Sequence, residues 1–340
     1  MARSGWKGNG TVKFRWLANS LILVPGLLVA QEATFRTDVR LVHVIATVKN
    51  HNGELVGNLA KDDFEVLDNG VRQEVALFGR QTDLPLSVAL LVDTSGSTAK
   101  DLGYETASAA KFLGALLGEG NPEDRVALFS FNYDIQQGGF TRNYPSLERQ
   151  LKLLKGETGT SLYDAVYYAA QALESREGRK AIVIMTDGGD TTSTRDLKAA
   201  LKAAQMAHTV IYPVVVLPIT NQAGRNTGGE HALEFMAQGT GGRTFYPAVN
   251  AQLDRAFADI IRELRTQYVL GFYPRDTPLT KDPFHRLEVR VKSPELRVSA
   301  RNGYYGEAEG GGAASPSRIS VSPERPGRQP QQPAKKKQEN

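Results

Sequence analysis

The chain has 340 residues, 41% of them hydrophobic and 23% charged, which is ordinary for globular protein and enough for one large domain with smaller modules. It contains no cysteine, which excludes disulfides, thiolate metal sites, cysteine nucleophiles and a lipid-modified N-terminal cysteine. The formal charge of +4 comes from Arg3, Lys7, Lys13 and Arg15 in an acid-free start; beyond residue 30, 37 basic residues face 37 acidic ones, which argues against a nucleic-acid partner.

Residues 1–30 read as an export signal. The basic start runs into "WLANSLILVPGLLVA", which ends in Ala30 before a polar segment. A spanning helix needs about 20 apolar residues, and this run is interrupted by Asn19 and Pro25-Gly26. Cleavage after Ala30 and an extracytoplasmic location are expected. Membrane contact is expected only through an uncleaved signal or the basic tail.

Residues 35–80 read as β. "FRTDVRLVHVIATVKN" is rich in β-branched residues. "DDFEVLDNGVRQEVALFG" holds two short strands around the hairpin dipeptide Asn69-Gly70. From Leu86 the rhythm changes. Continuous apolar runs at 86–93, 125–132, 179–187 and 209–217 predict strands buried on both faces. A short edge strand is expected at 135–140 and a last one in "RTFYP". Helical spacing is read at 99–118, 146–154, 161–175, 194–207, 228–242 and 250–265. The alternation across 86–265 predicts an α/β domain whose mostly parallel sheet carries helices on both faces. Residues 266–306 return to three strands. Residues 307–340, rich in Gly, Pro, Ser and Gln, read as a disordered tail.

In such a sheet, ligands bind beyond the carboxyl ends of the strands. "LLVDTSGS" places Asp93, Ser95 and Ser97 there. "TGTSLYDA" leads Thr160 into a helix, and "IMTDGGD" ends a strand at Asp187. Three loops at one face can bring these five residues together. All five offer hard oxygen donors, which suit Mg²⁺, Mn²⁺ or Ca²⁺. An ion with so few charged donors stays electron-poor and accepts one more anionic oxygen from outside. Simpler readings exist for some of these residues. Asp93 and the serines can cap a helix starting near Thr98. Ser161 and Asp164 have the spacing of a capping box, so Asp164 is left out of the site. Asp190 reads as a solvated loop residue.

The apolar-apolar-Asp-Thr start resembles an aspartic protease, but Ser95 stands where that signature has glycine, and no second Asp-Thr/Ser-Gly follows. There is no Gly-x-Ser-x-Gly, no His-Glu-x-x-His and no Walker loop. The five histidines are scattered and read as structural.

"DTSGS", the threonine of "TGTSLYDA" and "TDGGD" resemble, in order and spacing, the metal-ion-dependent adhesion site of von Willebrand factor A-type domains, over about 86–265. The resemblance implies a Rossmann-like fold. Ser95, Ser97 and Thr160 would touch the ion, and Asp93 and Asp187 would hold it directly or through water. The flanks, "LVGNLAKDDFEVLDNGVRQEVALFGR" and "YVLGFYP…FHRLEVRVKSPELRVSARNGYYG", resemble a bacterial exported subfamily called VWFA-related. Neither flank makes a two-layer core alone, so three N-terminal and three C-terminal strands are expected to form one accessory β-sandwich around the inserted domain. The expected function is non-enzymatic capture of a partner protein's Asp or Glu carboxylate through a divalent cation, Mg²⁺ first, with no small-molecule substrate. An envelope assembly protein with a structural ion is the alternative, and a hydrolase the minor one.

Overall fold

The computed structural model describes residues 41–80, 84–96, 98, 102–118, 120–216, 226–248, 250–275 and 283–306. The expected signal, the expected tail and Ser97 lie outside them. The chain opens with strands β1 (Val42–Lys49), β2 (Phe64–Asp68), β3 (Val71–Gln73) and β4 (Val75–Arg80). Asn69 and Gly70 both take positive φ, 47° and 83°, and turn β2 into β3 as the dipeptide predicts.

An α/β domain follows. Its strands are β5 (Leu86–Asp93), β6 (Arg125–Phe131), β7 (Ile135–Gln137), β8 (Arg179–Thr186) and β9 (Val210–Val215). Its helices are α1 (Leu102–Gly118), α2 (Tyr144–Lys152), α3 (Leu162–Glu174), α4 (Leu197–Met206), α5 (Thr227–Thr240) and α6 (Asn250–Arg265). The chain ends its described part in β10 (Tyr268–Phe272), β11 (Phe284–Val291), β12 (Arg297–Ala300) and β13 (Gly303–Tyr305). Among the described residues no helix is long and apolar enough to cross a membrane.

The α/β sheet has the order β7-β6-β5-β8-β9, parallel except for β7 at its edge. Strand β5 is buried along its whole length. Leu86, Val88, Leu90 and Val92 enter one core with α1, α2 and α6, while Ala89 and Leu91 enter the other with α3, α4 and α5. This is why the sequence shows an unbroken apolar run instead of an alternation. After β5 the chain steps to β6 on one side, and β8 lies on the other, so the switch point falls between β5 and β8.

The flanking strands form two antiparallel sheets, β12-β1-β10-β4 and β13-β11-β2-β3. Each sheet mixes strands from both ends of the chain. There are four strands from each end, one more than expected, because two predicted strands break. One breaks at Glu74 and the other at Arg301-Asn302, and at each break the chain passes from one sheet to the other. Val42, Val44, Ala46 and Val48 of β1 fill the sandwich core with Phe64, Val66, Tyr268, Leu270 and Phe272. The opposite face of β1 turns to the α/β domain, where Ile45 packs against its core.

The insertion leaves and returns at neighbouring points, since Arg80 of β4 lies opposite Tyr268 of β10. Arg179 ties the two links together: its Nε donates to Leu84 O at 3.1 Å and its guanidinium to Leu264 O. Its backbone N–H donates to Pro85 O at 2.8 Å. Gly178 precedes it with φ +79°, and a Cβ there would stand 2.3 Å from Pro85 O, so this turn requires glycine.

Two smaller expectations change. "RTFYP" forms only an isolated bridge, Phe245 with Val214. Helix α4 starts at 197 and not 194, because Asp196 caps it through Ala199 N at 2.8 Å. Phe272 is fully buried in the sandwich. Phe272→Ala is expected to lower stability by about 3–5 kcal/mol in urea unfolding, whereas truncating Met206, 45% exposed, should change it by less than about 0.5 kcal/mol.

Candidate functional site

Asp93 ends β5 with no solvent exposure. Its Oδ1 accepts from Ser95 N at 2.8 Å and its Oδ2 from the Thr186 hydroxyl at 2.6 Å. The Ser95 side chain also hydrogen bonds to it. Burial pushes its carboxyl up to about 6; the bonds from Thr186 and Ser95 offset part of this, and the Asp187 charge adds to it. No basic side chain of the described residues is among the groups that act on it.

The helix-cap reading of Asp93 does not hold. Its oxygens serve Ser95 N and Thr186 of the adjacent strand, and the described part of α1 begins only at Leu102. Thr98 closes the turn, donating to Asp93 O at 3.0 Å and Ser95 O at 2.9 Å.

The three loops are bonded to one another. Thr94 N donates to Phe131 O at 2.9 Å, and Thr94 O accepts from Glu157 N at 2.8 Å, which joins the first loop to the second. Ser161 N donates to Asn132 O at 2.8 Å. Gly159 turns with φ +83° against Tyr133, whose backbone would lie 3.2 Å from an added Cβ. Thr160 donates its N–H to Thr191 Oγ1 at 3.0 Å, and its O accepts from Thr191 N at 2.8 Å, which joins the second loop to the third. The Thr160 backbone is thus fastened at both groups. Its residue is 7% exposed, and its hydroxyl hydrogen bonds to none of the described residues. Asp187 follows β8 and is half-buried; Gly189 N approaches its Oδ1 only at 3.5 Å.

Four of the five expected residues therefore stand on loops or a strand end at the carboxyl end of the sheet, around the switch point. Asp93 and Asp187 are close enough for the charge of one to act on the other. The fifth, Ser97, is outside the described residues.

Thr186 is a residue that the sequence did not single out. Its hydroxyl donates to Asp93 and accepts from Gly188 N at 3.1 Å, linking β5 to the turn after β8. In "IMTD" it looks like one more strand residue.

Asp164 and Asp190 also differ from expectation. Ser161 makes no side-chain cap bond to α3; its hydroxyl goes to Tyr133 O and Thr192 Oγ1. The first turn of α3 is capped from the third loop instead. Asp190 Oδ1 accepts from Tyr163 N at 3.1 Å, and Ser193 Oγ accepts from Asp164 N at 3.0 Å. Asp164 in turn accepts from Thr194 N at 2.8 Å and from Arg195 N and Nη1, each at 3.1 Å. Burial pushes its carboxyl up, but these bonds outweigh it and hold it below the usual range.

Residues 87–259, just over half of the chain, match the von Willebrand factor type A domain family. The chain belongs to that family. No curated protein matches it. Among solved structures, this VWA domain is similar to the vWF domain of the type V pili tip protein Mfa5 from Porphyromonas gingivalis, at 16% identity over 53% of this chain and 95% of that one, with a TM-score of 0.45. It is similar to the conserved hypothetical protein BatB from Bacteroides thetaiotaomicron at 18% identity over 52% and 98%, with a TM-score of 0.42. For the PilB minor pilin from Streptococcus sanguinis the values are 15% over 55% and 62%, with a TM-score of 0.44.

The Thr186 bond is the testable hinge of this arrangement. Thr186→Val keeps the shape and leaves an Asp93 oxygen buried without a donor. It is expected to cost about 1–3 kcal/mol in thermal or urea unfolding measured with EDTA present. An unchanged midpoint would show that the bond contributes nothing.

Proposed function

We propose that this VWA domain is a binding module that holds a divalent cation, Mg²⁺ in the first instance and Mn²⁺ or Ca²⁺ by the same donor chemistry, and through it captures an Asp or Glu carboxylate of a partner protein. The observation that carries the reading is Asp93: a fully buried carboxylate beside a second carboxylate, with no basic side chain of the described residues acting on it. A cation supplies the missing charge. The donor set fits such an ion. Ser95, Thr160 and, from the sequence motif, Ser97 would offer neutral hydroxyls, and Asp93 and Asp187 carboxylates, all hard oxygens. Among the described residues no group of three or more His, Asp or Glu is suited to a metal, so an ion here relies on hydroxyls.

The ion, when bound, acts as a Lewis acid toward an incoming anionic oxygen. The chain's own residues do the rest. Thr186 orients Asp93 from behind, and the bonds from Thr191 and Glu157 fix the loops that present Thr160 and Ser95. The reading requires no catalytic group, and the N-terminal segment supports an extracytoplasmic setting.

Calorimetric titration with MgCl₂ or MnCl₂ tests it. The parent chain should bind one ion, and at about 100 times Kd the ion should add about 2.7 kcal/mol of stability. Asp93→Ala should abolish the heat while keeping a cooperative unfolding transition, and Thr160→Ala should weaken it at least tenfold. If Asp93→Ala binds as the parent does, the site is wrongly assigned. Partners captured from the native envelope with Mg²⁺ should be lost with EDTA. If Thr160→Ala keeps every such partner, the ion is structural.

A further inference from the structure

Away from the metal loops, at the opposite end of the sheet, a cavity lies between the sandwich and the α/β domain. It is partly open to solvent. Its walls include His43 and Ile45 of β1, Lys180 at the start of β8, His208 before β9, Val210 and Arg301. Arg301 sits between β12 and β13 and is 6% exposed. Its Nη1 lies 2.9 Å from His208 Nδ1, and its Nη2 donates to His43 O, so it joins the two layers. A guanidinium only donates, so His208 accepts at Nδ1 and is neutral there.

Arg301 lacks an acidic counter-charge among the described residues, and the carboxylate that acts on Lys180 is that of the exposed Glu174. Arg301 forms no ion pair with any described residue, and its Nε has no hydrogen-bond partner among them. The buried Nδ1 of His43 is unpartnered in the same way. Lys180, 3% exposed, donates only to the backbone O of Glu174 at 2.9 Å. Burial, and then the Arg301 charge, push both His43 and His208 down. Burial also brings Lys180 down to about 8 and Arg301 to about 10. The acidic side chain on the wall, Glu177, is exposed to solvent. Buried charges are ordinarily paired, and an unpaired one costs several kcal/mol. A cavity lined by the cationic residues Arg176, Lys180 and Arg301 and by two imidazoles, two of these residues carrying buried unfilled donors, with Ile45 and Val210 beside them, matches the chemistry of an oxyanion on a small body.

We propose that this cavity binds a small oxyanion, a carboxylate or a phosphate, which accepts from Arg301 Nε and His43 Nδ1 with Lys180 as its second positive charge. The site is separate from the metal loops and joins the sandwich to the inserted domain. Its occupant acts as a bridge between the two layers.

Thermal unfolding and calorimetry of the full chain in EDTA test this, with sodium phosphate, acetate and chloride compared at matched ionic strength. Phosphate or acetate should raise the midpoint saturably over chloride, by at least 3 °C, and whichever acts identifies the source of the oxyanion. Asp93→Ala should respond like the parent, which separates this site from carboxylate capture at the metal. Arg301→Met should lose the response, and Lys180→Met, which leaves the bonds to His208 and His43 O intact, should weaken binding at least fivefold. Should Arg301→Met fail to fold, Lys180→Met and His43→Leu decide. No saturable shift in the parent, or an equal shift in Lys180→Met and His43→Leu, overturns the proposal.

Discussion

Burial of β5 on both faces is the constraint on which the molecule turns. Its even-numbered side chains belong to one core and its odd-numbered ones to the other. A slip of one residue would exchange the two sets and misfit both, so the register with β6 and β8 is held along the whole strand. That register fixes where the apolar run stops. The first carboxylate after it, Asp93, is therefore placed at the switch point by packing some distance away, before any loop contact is made.

The loops then convert position into orientation. Asp93 is held by Thr186 across the sheet, and Thr160 is held at both backbone groups by Thr191. The side chains that face outward are left with oxygens to offer. A framework that spends its backbone bonds on rigidity and leaves the Thr160 hydroxyl without a bond to the described residues is suited to binding with little reorganisation. The same economy does not extend to the far end of the sheet, where Arg301 keeps a donor unfilled inside the protein.

Much of this was legible in the sequence, and the reasons differ by feature. The parallel strands were plain because a strand buried on both faces is mostly apolar along its middle, so "LSVALLVD" and "RKAIVIMTD" stand out. Asp93, Thr160 and Asp187 were found because each follows such a run or a glycine turn. Asp164 and Asp190 were misread because each bonds across about thirty residues, Asp164 to the third loop and Asp190 to the first turn of α3, which no local pattern shows. The strand break at Glu74 carries no glycine or proline, so only pairing with different sheets reveals it, whereas Asn302-Gly303 marked the other break with a turn dipeptide. Arg301 carries no signal of its own in the sequence, since nothing local says that β1 and His208 cover it.

The mixed pairing of the sandwich has a consequence for how the chain is made. β1 pairs with β10 and β12, and β2 with β3 and β11, so neither can complete its sheet until residues 266–306 have emerged. The inserted domain draws all its sheet strands from its own segment and can be completed first. Meanwhile the β-branched stretch of β1 waits with unpaired edges, the condition in which strands seek foreign partners. Contacts of such long sequence separation form slowly. The last strands of the described chain thus act as the closing step of folding, and the interval before they arrive is when the chain is most exposed to misassembly.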